Sequence, residues 1–324
     1  MSKTLIACYC EPDKPSLNWQ LHALYLSYRD LDCDRVDFRV TVPPGTERLV
    51  DDKIPIRVIE RITSQFRHPM LEKYGFDGYP FANHFLAVTE EDNHYDHILL
   101  TDVDTLLLPR FSGFTPDTFI TGRGGYSNDY NYDRLVRFGK SHGYSRTGRY
   151  RQLHSTWYGA AHLVTKCSRE VLEVIAKLLQ EEDWTASEWP KWWIGVLALY
   201  ASEIVLSERV DNLSSTGDVL DARPSSEEDE RAIHLHMWHT GNWGSHFSKH
   251  AYDAGYYDDG TVKLTGLADF TLKLARRGSA FVELNDWKRR MEPQRSRSRR
   301  TLPNLAATMR HLARLNAWSR RKDA

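Results

Sequence analysis

The run from His97 to Pro109, HILLTDVDTLLLP, limits what this chain can fold into more than any other stretch. A short aliphatic run bounded by turn signals is what a buried central strand looks like. Two carboxylates directly after it do not fit simple packing. Burying an ionised carboxylate is costly unless cations or hydrogen bonds compensate. Strand alternation puts Asp102 and Asp104 on one side, with Val103 opposite. Such a pair makes a hard-oxygen site for Mg2+ or Mn2+, which in turn can hold a diphosphate. The competing account is a strand-end turn whose acids cap backbone amides.

At 324 residues the chain can hold one large α/β domain with an appendage. Its 10 Trp and 16 Tyr suit a large core, or a site that stacks on bases and sugar rings. A formal charge of -1 gives no sign of nucleic-acid binding by the protein as a whole. That average hides an asymmetry. From Asp286 to Ala324 twelve Lys/Arg stand against three Asp/Glu, leaving about -10 on the rest. Residues 1–285 therefore read as the folded domain and 286–324 as a tail with its own partner.

Cys8, Cys10, Cys33 and Cys167 show neither a CxxC pair nor zinc spacing, so reduced, packed thiols are expected. No stretch reaches the roughly 18 apolar residues of a transmembrane helix. The first strand starts by about residue 4, which leaves a secretory signal no room, and a cytoplasmic location is expected.

Strand–helix alternation fills the first hundred residues. Lys3 to Cys10 reads as a buried strand. Ser16 is a plausible N-cap for a helix carrying Leu17, Leu21, Leu24, Tyr25 and Tyr28. Arg35 to Val42 alternates as a second strand, Ile54 to Ile59 as a third, and Pro80 to Asn93 as a helix leading into the aspartate strand. This order predicts a mostly parallel sheet of nucleotide-binding type, with the carboxylates at a strand's C-terminal end, where such sheets bind ligands. Past Phe119 the pattern loosens into loops as far as Leu153. Trp157 to Thr165 reads as a strand with small residues, Ser168 to Glu182 and Trp192 to Leu206 as helices, and Ala232 to Trp238 as a strand. In the tail, Leu302, Leu305, Met309, Leu312, Leu315 and Trp318 form a stripe beside Arg310, Arg314, Arg320 and Arg321. This basic amphipathic helix over residues 302–321 is read either as docking on an anionic membrane surface or as packing on the core.

Four features together resemble a GT-A glycosyltransferase over about residues 3 to 250. They are an N-terminal strand, a helix feeding a strand that ends in DxD, a small-residue strand about fifty residues later, and a late strand ending in His. Within that superfamily WPKWWIGVLALYASEIVLSER, followed by a His-containing strand, resembles the hydroxyproline arabinosyltransferase and peptidyl-serine galactosyltransferase group. The resemblance implies a GT-A type mixed, mostly parallel sheet flanked by helices. It also implies a divalent cation, Mn2+ or Mg2+, on Asp102-Val103-Asp104, bridging the diphosphate of a nucleotide sugar. A late His, His239 or His236, would complete the metal shell, and Lys249 would suit a phosphate. The chain shows no anchor of the kind the Golgi members carry, so their protein acceptors are not carried over.

Elementary chemistry runs the same way. Charge on a departing diphosphate must be neutralised, and a carboxylate-held cation does that without proton transfer. Asp104, nearer the open strand end, is the stronger metal ligand, while Asp102 contacts the metal or the ribose. His234 and His236 share a strand face and His239 lies beyond it; a ligating His needs its second nitrogen oriented by a partner. Glu203, an acid inside an apolar helix, is the acid–base candidate, with a solvent-facing helix acid as the alternative; Glu188 and Asp129 are weaker candidates. Trp192, Trp193 and Trp243 suit either sugar stacking or the core. Tyr9, just past the first strand, sits where a nucleotide base can stack.

The expected function is transfer of a sugar from a nucleotide-diphosphate sugar, UDP-linked by preference, to a glycan or glycolipid. Two alternatives stand beside it. Asp102-Val103-Asp104-Thr105 also matches the start of the haloacid dehalogenase-type phosphatase motif, although Leu106 stands where Thr or Val is wanted and the pair falls far from the first strand. The other is a sugar-nucleotide-binding protein without catalysis.

Overall fold

The structure, a computed structural model, describes residues 2–90, 94–225, 230–239, 245–258 and 260–291, with side chains as far as Asp286. The compact unit ends at Asp286. The basic tail, its amphipathic stripe and Trp243 lie outside the described side chains.

In chain order the elements are β1 (Thr4–Tyr9), α1 (Pro15–Arg29), β2 (Val36–Val42), β3 (Ile56–Val58), α2 (Pro69–Lys73), β4 (His97–Leu100), β5 (Thr105–Leu107), β6 (Phe119–Arg123), α3 (Tyr132–Ser141), β7 (Leu153–Ala160), α4 (Ala161–Glu181), α5 (Leu197–Arg209), β8 (Leu213–Ser215), β9 (His234–His236), α6 (Lys249–Asp253) and α7 (Gly266–Met291). Seven strands form one sheet in the order β3-β2-β1-β4-β7-β6-β8, and β5 pairs with β9 in a second, two-stranded sheet. Only β7 runs against its neighbours in the large sheet. The expected α/β fold, a mostly parallel mixed sheet flanked by helices, is therefore present.

Strand order locates the place where a ligand can enter. The chain builds β1, β2 and β3 outward, then returns to lay β4 on the other side of β1. Loops leaving β1 and β4 thus diverge. In open α/β sheets the crevice beyond the carboxyl ends of two such strands receives ligands. Tyr9 ends β1, and Asp102 follows β4 by two residues. Aliphatic burial on both faces explains why β4 is central: Ile98, Leu99 and Leu100 have no exposed surface. Ile6 and Cys8 of β1 pack with Leu21, Leu24 and Tyr25 of α1 and with Phe38 and Val40 of β2. None of the four cysteines is paired.

Several local expectations are corrected. Asp102 and Asp104 do not share a strand: β4 stops at Leu100, residues 101–104 turn, and β5 then leaves for the other sheet. Hydroxyls stabilise that turn, since Thr105 Oγ1 donates to Asp102 O (2.7 Å) and lies 3.0 Å from Thr101 Oγ1. The first helix is capped at Lys14, because Pro15 already has the φ of a first helical residue; Ser16 instead donates to Asp253 (2.7 Å). Pro80–Val88 is a 3-10 helix, and residues 91–93 lie outside the described part. The Trp157–Thr165 strand is divided: β7 ends at Ala160, and AHLVT opens α4, whose apolar face packs on α5. Trp192 and Trp193 precede α5 rather than belong to it. The stretch after Phe119, read as loops around short elements, holds β6 and α3 as those elements.

Candidate metal centre

The reversal of β7 assembles the site. Its register sets Trp157 opposite Leu100, so residues 153–156 run beside the 101–104 turn. Ser155 Oγ accordingly donates to Asp102 Oδ2 (2.6 Å). The other Asp102 oxygen lies 3.0 Å from His84 Nδ1, on the 3-10 helix, and His84 Nε2 is 3.2 Å from Ser155 O. Both Asp102 oxygens are thereby oriented. Burial is the largest influence and raises its pKa, but the charge and hydrogen bond of His84 together with the His236 charge hold the carboxyl below its ordinary range.

The small sheet brings the histidine. Pairing of β5 with β9 sets His236 opposite Thr105, next to Asp104, and Met237 N donates to Asp104 O (2.8 Å). His236 Nε2 lies 3.2 Å from Asp104 Oδ2, and Lys249 Nζ donates to the same oxygen. Burial opposes ionisation of Asp104, yet Lys249 and His236 together hold its pKa well below normal. Burial also disfavours the His236 cation, but Asp104 and then Asp221 raise its pKa to about 9. Lys249 thus neutralises the carboxylate that a metal ion would use.

Asp221 stands behind His236, in charge contact with its second nitrogen but beyond hydrogen-bond reach. Its Oδ1 is 3.8 Å from His236 Nδ1, 3.3 Å from His234 Nδ1, and accepts from Thr156 Oγ1 (2.7 Å). His154 Nδ1 lies 3.0 Å from Oδ2. The Asp221 side chain is only 4% exposed and its φ is +58°, a costly conformation for a non-glycine residue. Gly122 of β6 makes the room: a Cβ there would fall 1.8 Å from Asp221 Oδ2. His234 is a linker, not a ligand. Its Nδ1 accepts from Asp221 N (3.2 Å), leaving Nε2–H to donate to Thr101 Oγ1 (2.9 Å) and so to brace the Asp102 turn.

Among the described residues, two triplets offer ligand atoms within 4.8 Å of one another: Asp102, Asp104 and His236, and His154, Asp221 and His236. The first fits a metal better. Its carboxylates retain some exposure, 33% and 12%, whereas the Asp221 side chain is only 4% exposed. Two carboxylates and one imidazole suit Mn2+ better than the all-oxygen preference of Mg2+. The chain can therefore hold a metal ion among these Asp and His residues.

The other sequence candidates lie outside the two triplets. His239 sits 5.7 Å ring to ring from His250 and near enough to Lys249, Asp104 and His236 for their charges to act on it. Glu203, 2% exposed on α5, accepts from Ser127 Oγ (2.7 Å) and Leu153 N (3.4 Å), the chain neighbours of Tyr126 and His154. It supports the wall of the site from behind. Burial, against those hydrogen bonds, raises its pKa to about 7. Tyr9 ends β1 beside the Glu11–Arg61 ion pair. Glu188 and Asp129 are exposed and pair with Lys191 and Arg151. Trp192 is core, stacked between Trp184 and Tyr200. Asp221, His84, His154 and Ser155 were not singled out from the sequence. The polar triplet HST in an otherwise apolar β7 is a local signal for His154 and Ser155 alone.

Residues 64–274 match the family described as Domain of unknown function (DUF7164). The chain belongs to this family. The DUF7164 region contains Asp102, Asp104, Asp221, His236 and Lys249, while β1 and Tyr9 precede it. No curated protein matches the sequence.

Proposed function

We propose that this DUF7164 protein is a metal-dependent glycosyltransferase of GT-A type, moving a sugar from a nucleotide-diphosphate sugar, UDP-linked by preference, to a glycan or glycolipid. One observation carries the proposal: Asp102, Asp104 and His236 converge beyond the carboxyl ends of β1 and β4, with Lys249 beside them. A cation held by those three residues would neutralise charge on the leaving diphosphate. His84 and Ser155 hold Asp102 in place, and the Asp221 charge faces His236 from behind. Lys249, freed from Asp104 by a bound cation, is within reach of a phosphate oxygen as a point-charge donor. Tyr9, across the crevice on β1, offers a ring to the base.

The test is thermal stabilisation by a panel of nucleoside diphosphates with and without Mn2+. Binding stabilises by RT ln(1 + [L]/Kd), so a metal-dependent shift also identifies the base. Asp104→Ala should abolish the shift, and Lys249→Ala should weaken the diphosphate more than the metal. Equal shifts in wild type and Asp104→Ala would remove the basis of the proposal.

A further inference from the structure

Two loops beside the metal centre are latched together and hold out aromatic rings. Asn128 Nδ2 donates to Pro190 O (2.9 Å), and Asn131 Nδ2 donates to both Tyr126 O (2.9 Å) and Lys191 O (3.1 Å). Residues 126–131 and 188–193 therefore make one rim. Rings lead along it from the site, by centroid distance: His236 to His154 5.0 Å, His154 to Tyr126 6.3 Å, Tyr126 to Trp189 5.5 Å, and Trp189 to Trp193 5.8 Å. Tyr126 is also near enough to Asp102, Asp104 and Lys249 for their charges to act on its phenol.

Trp189 is 50% exposed, although an indole is among the side chains that gain most from burial. Neither ring neighbour lies flat on it, with interplanar angles of 63° and 68°. Exposed ion pairs flank the rim, Glu188–Lys191 and Asp129–Arg151. A protein partner would ask for a broad apolar patch depleted of charge at its centre. Here two separate open rings, Trp189 and Tyr130 (75% exposed), are set among charged hydrogen-bonding groups. That combination matches a sugar ring, which has an apolar C–H face and a rim of hydroxyls.

We propose that Tyr126 and Trp189 form the acceptor platform of this site, binding a saccharide ring so that its hydroxyls point back toward Asp104 and Lys249. The platform presupposes the transferase reading and supplies its acceptor class, a carbohydrate held by stacking.

The experiment is calorimetric titration of the full chain, with Mn2+ and UDP present, by linear malto-, cello-, xylo-, chito- and manno-oligosaccharides and arabinan. At least one should bind wild type. Trp189→Ala should weaken it about tenfold or more, as loss of a stacking ring does for nucleobases, and Trp189→Phe should retain most of the affinity. UDP and Mn2+ binding should be unchanged in both variants. The proposal is overturned if no saccharide binds wild type, if Trp189→Ala binds as well as wild type, or if Trp189→Ala loses UDP and saccharide together. Absence of UDP binding by wild type would instead overturn the transferase reading, and titration with saccharide alone would still decide the platform.

Discussion

Replacing Glu203 by Gln should change how stability depends on pH more than it changes stability itself. The carboxyl has an ordinary pKa of 4.5 and one of about 7 in the fold. Burial is the dominant cause, and the hydrogen bonds from Ser127 and Leu153 recover only part of its cost. Because the folded value is the higher one, the native state binds more protons than the unfolded chain between these two pH values. Its contribution is fully present below about pH 4.5 and is lost as pH rises through about 7. A tenfold difference in protonation equilibrium corresponds to ~1.4 kcal/mol, so wild type should lose roughly 2 kcal/mol relative to Glu203→Gln between pH 5 and pH 8. At 2% exposure, solvent screening does not reduce this much. Gln keeps an acceptor for Ser127 and Leu153, so any packing cost is a constant offset. Urea unfolding midpoints at fixed ionic strength, measured for both proteins from pH 5 to pH 8, read the difference directly. Parallel curves, or a wild type that gains on the variant with rising pH, would refute the buried, raised carboxyl.

Three further outcomes are expected. Asp221→Asn should weaken Mn2+ binding by about tenfold, because it removes the negative charge that faces His236 Nδ1 at 3.8 Å. Gly122→Ala should act in the same direction, because its Cβ would occupy the space of Asp221 Oδ2, 1.8 Å away. Titration of Mn2+ by electron paramagnetic resonance reports both, and unchanged affinities would show that Asp221 is only a packing residue. A chain ending at Met291 should lose binding to vesicles containing phosphatidylserine if residues 302–321 dock on anionic lipid; unchanged flotation with those vesicles would assign the tail another role.

Much of the architecture was legible locally. Runs such as TLIACY, VDFRVTV and HILL carry their own burial pattern, and a helix such as SREVLEVIAKLLQ carries its own period. What failed were junctions. AHLVT after Gly159 is as apolar as a strand, and only its packing against α5 makes it helix. The DVD segment alternates as a strand would, but the Thr101 and Thr105 hydroxyls make it a turn. Among the candidate ligands, His236 could not be preferred to His239 from spacing, since both sit near one strand end. Asp221, which distinguishes them, stands fifteen residues upstream of His236 in a segment without periodicity.

By itself the sequence determined that a buried strand ends in two acids at the ligand-binding edge of an α/β sheet, because hydrophobic period and the cost of buried charge are local quantities. Tertiary structure alone decided what those acids meet. Strand direction leaves no trace in an alternating pattern, yet the reversal of β7 is what delivers Ser155 and His154 to the Asp102 turn. Register leaves none either, and the β5–β9 pairing sets His236 against Asp104 with Asp221 behind it. Charges that are each expensive to bury become tolerable only once long-range pairing puts them within about 4 Å of one another.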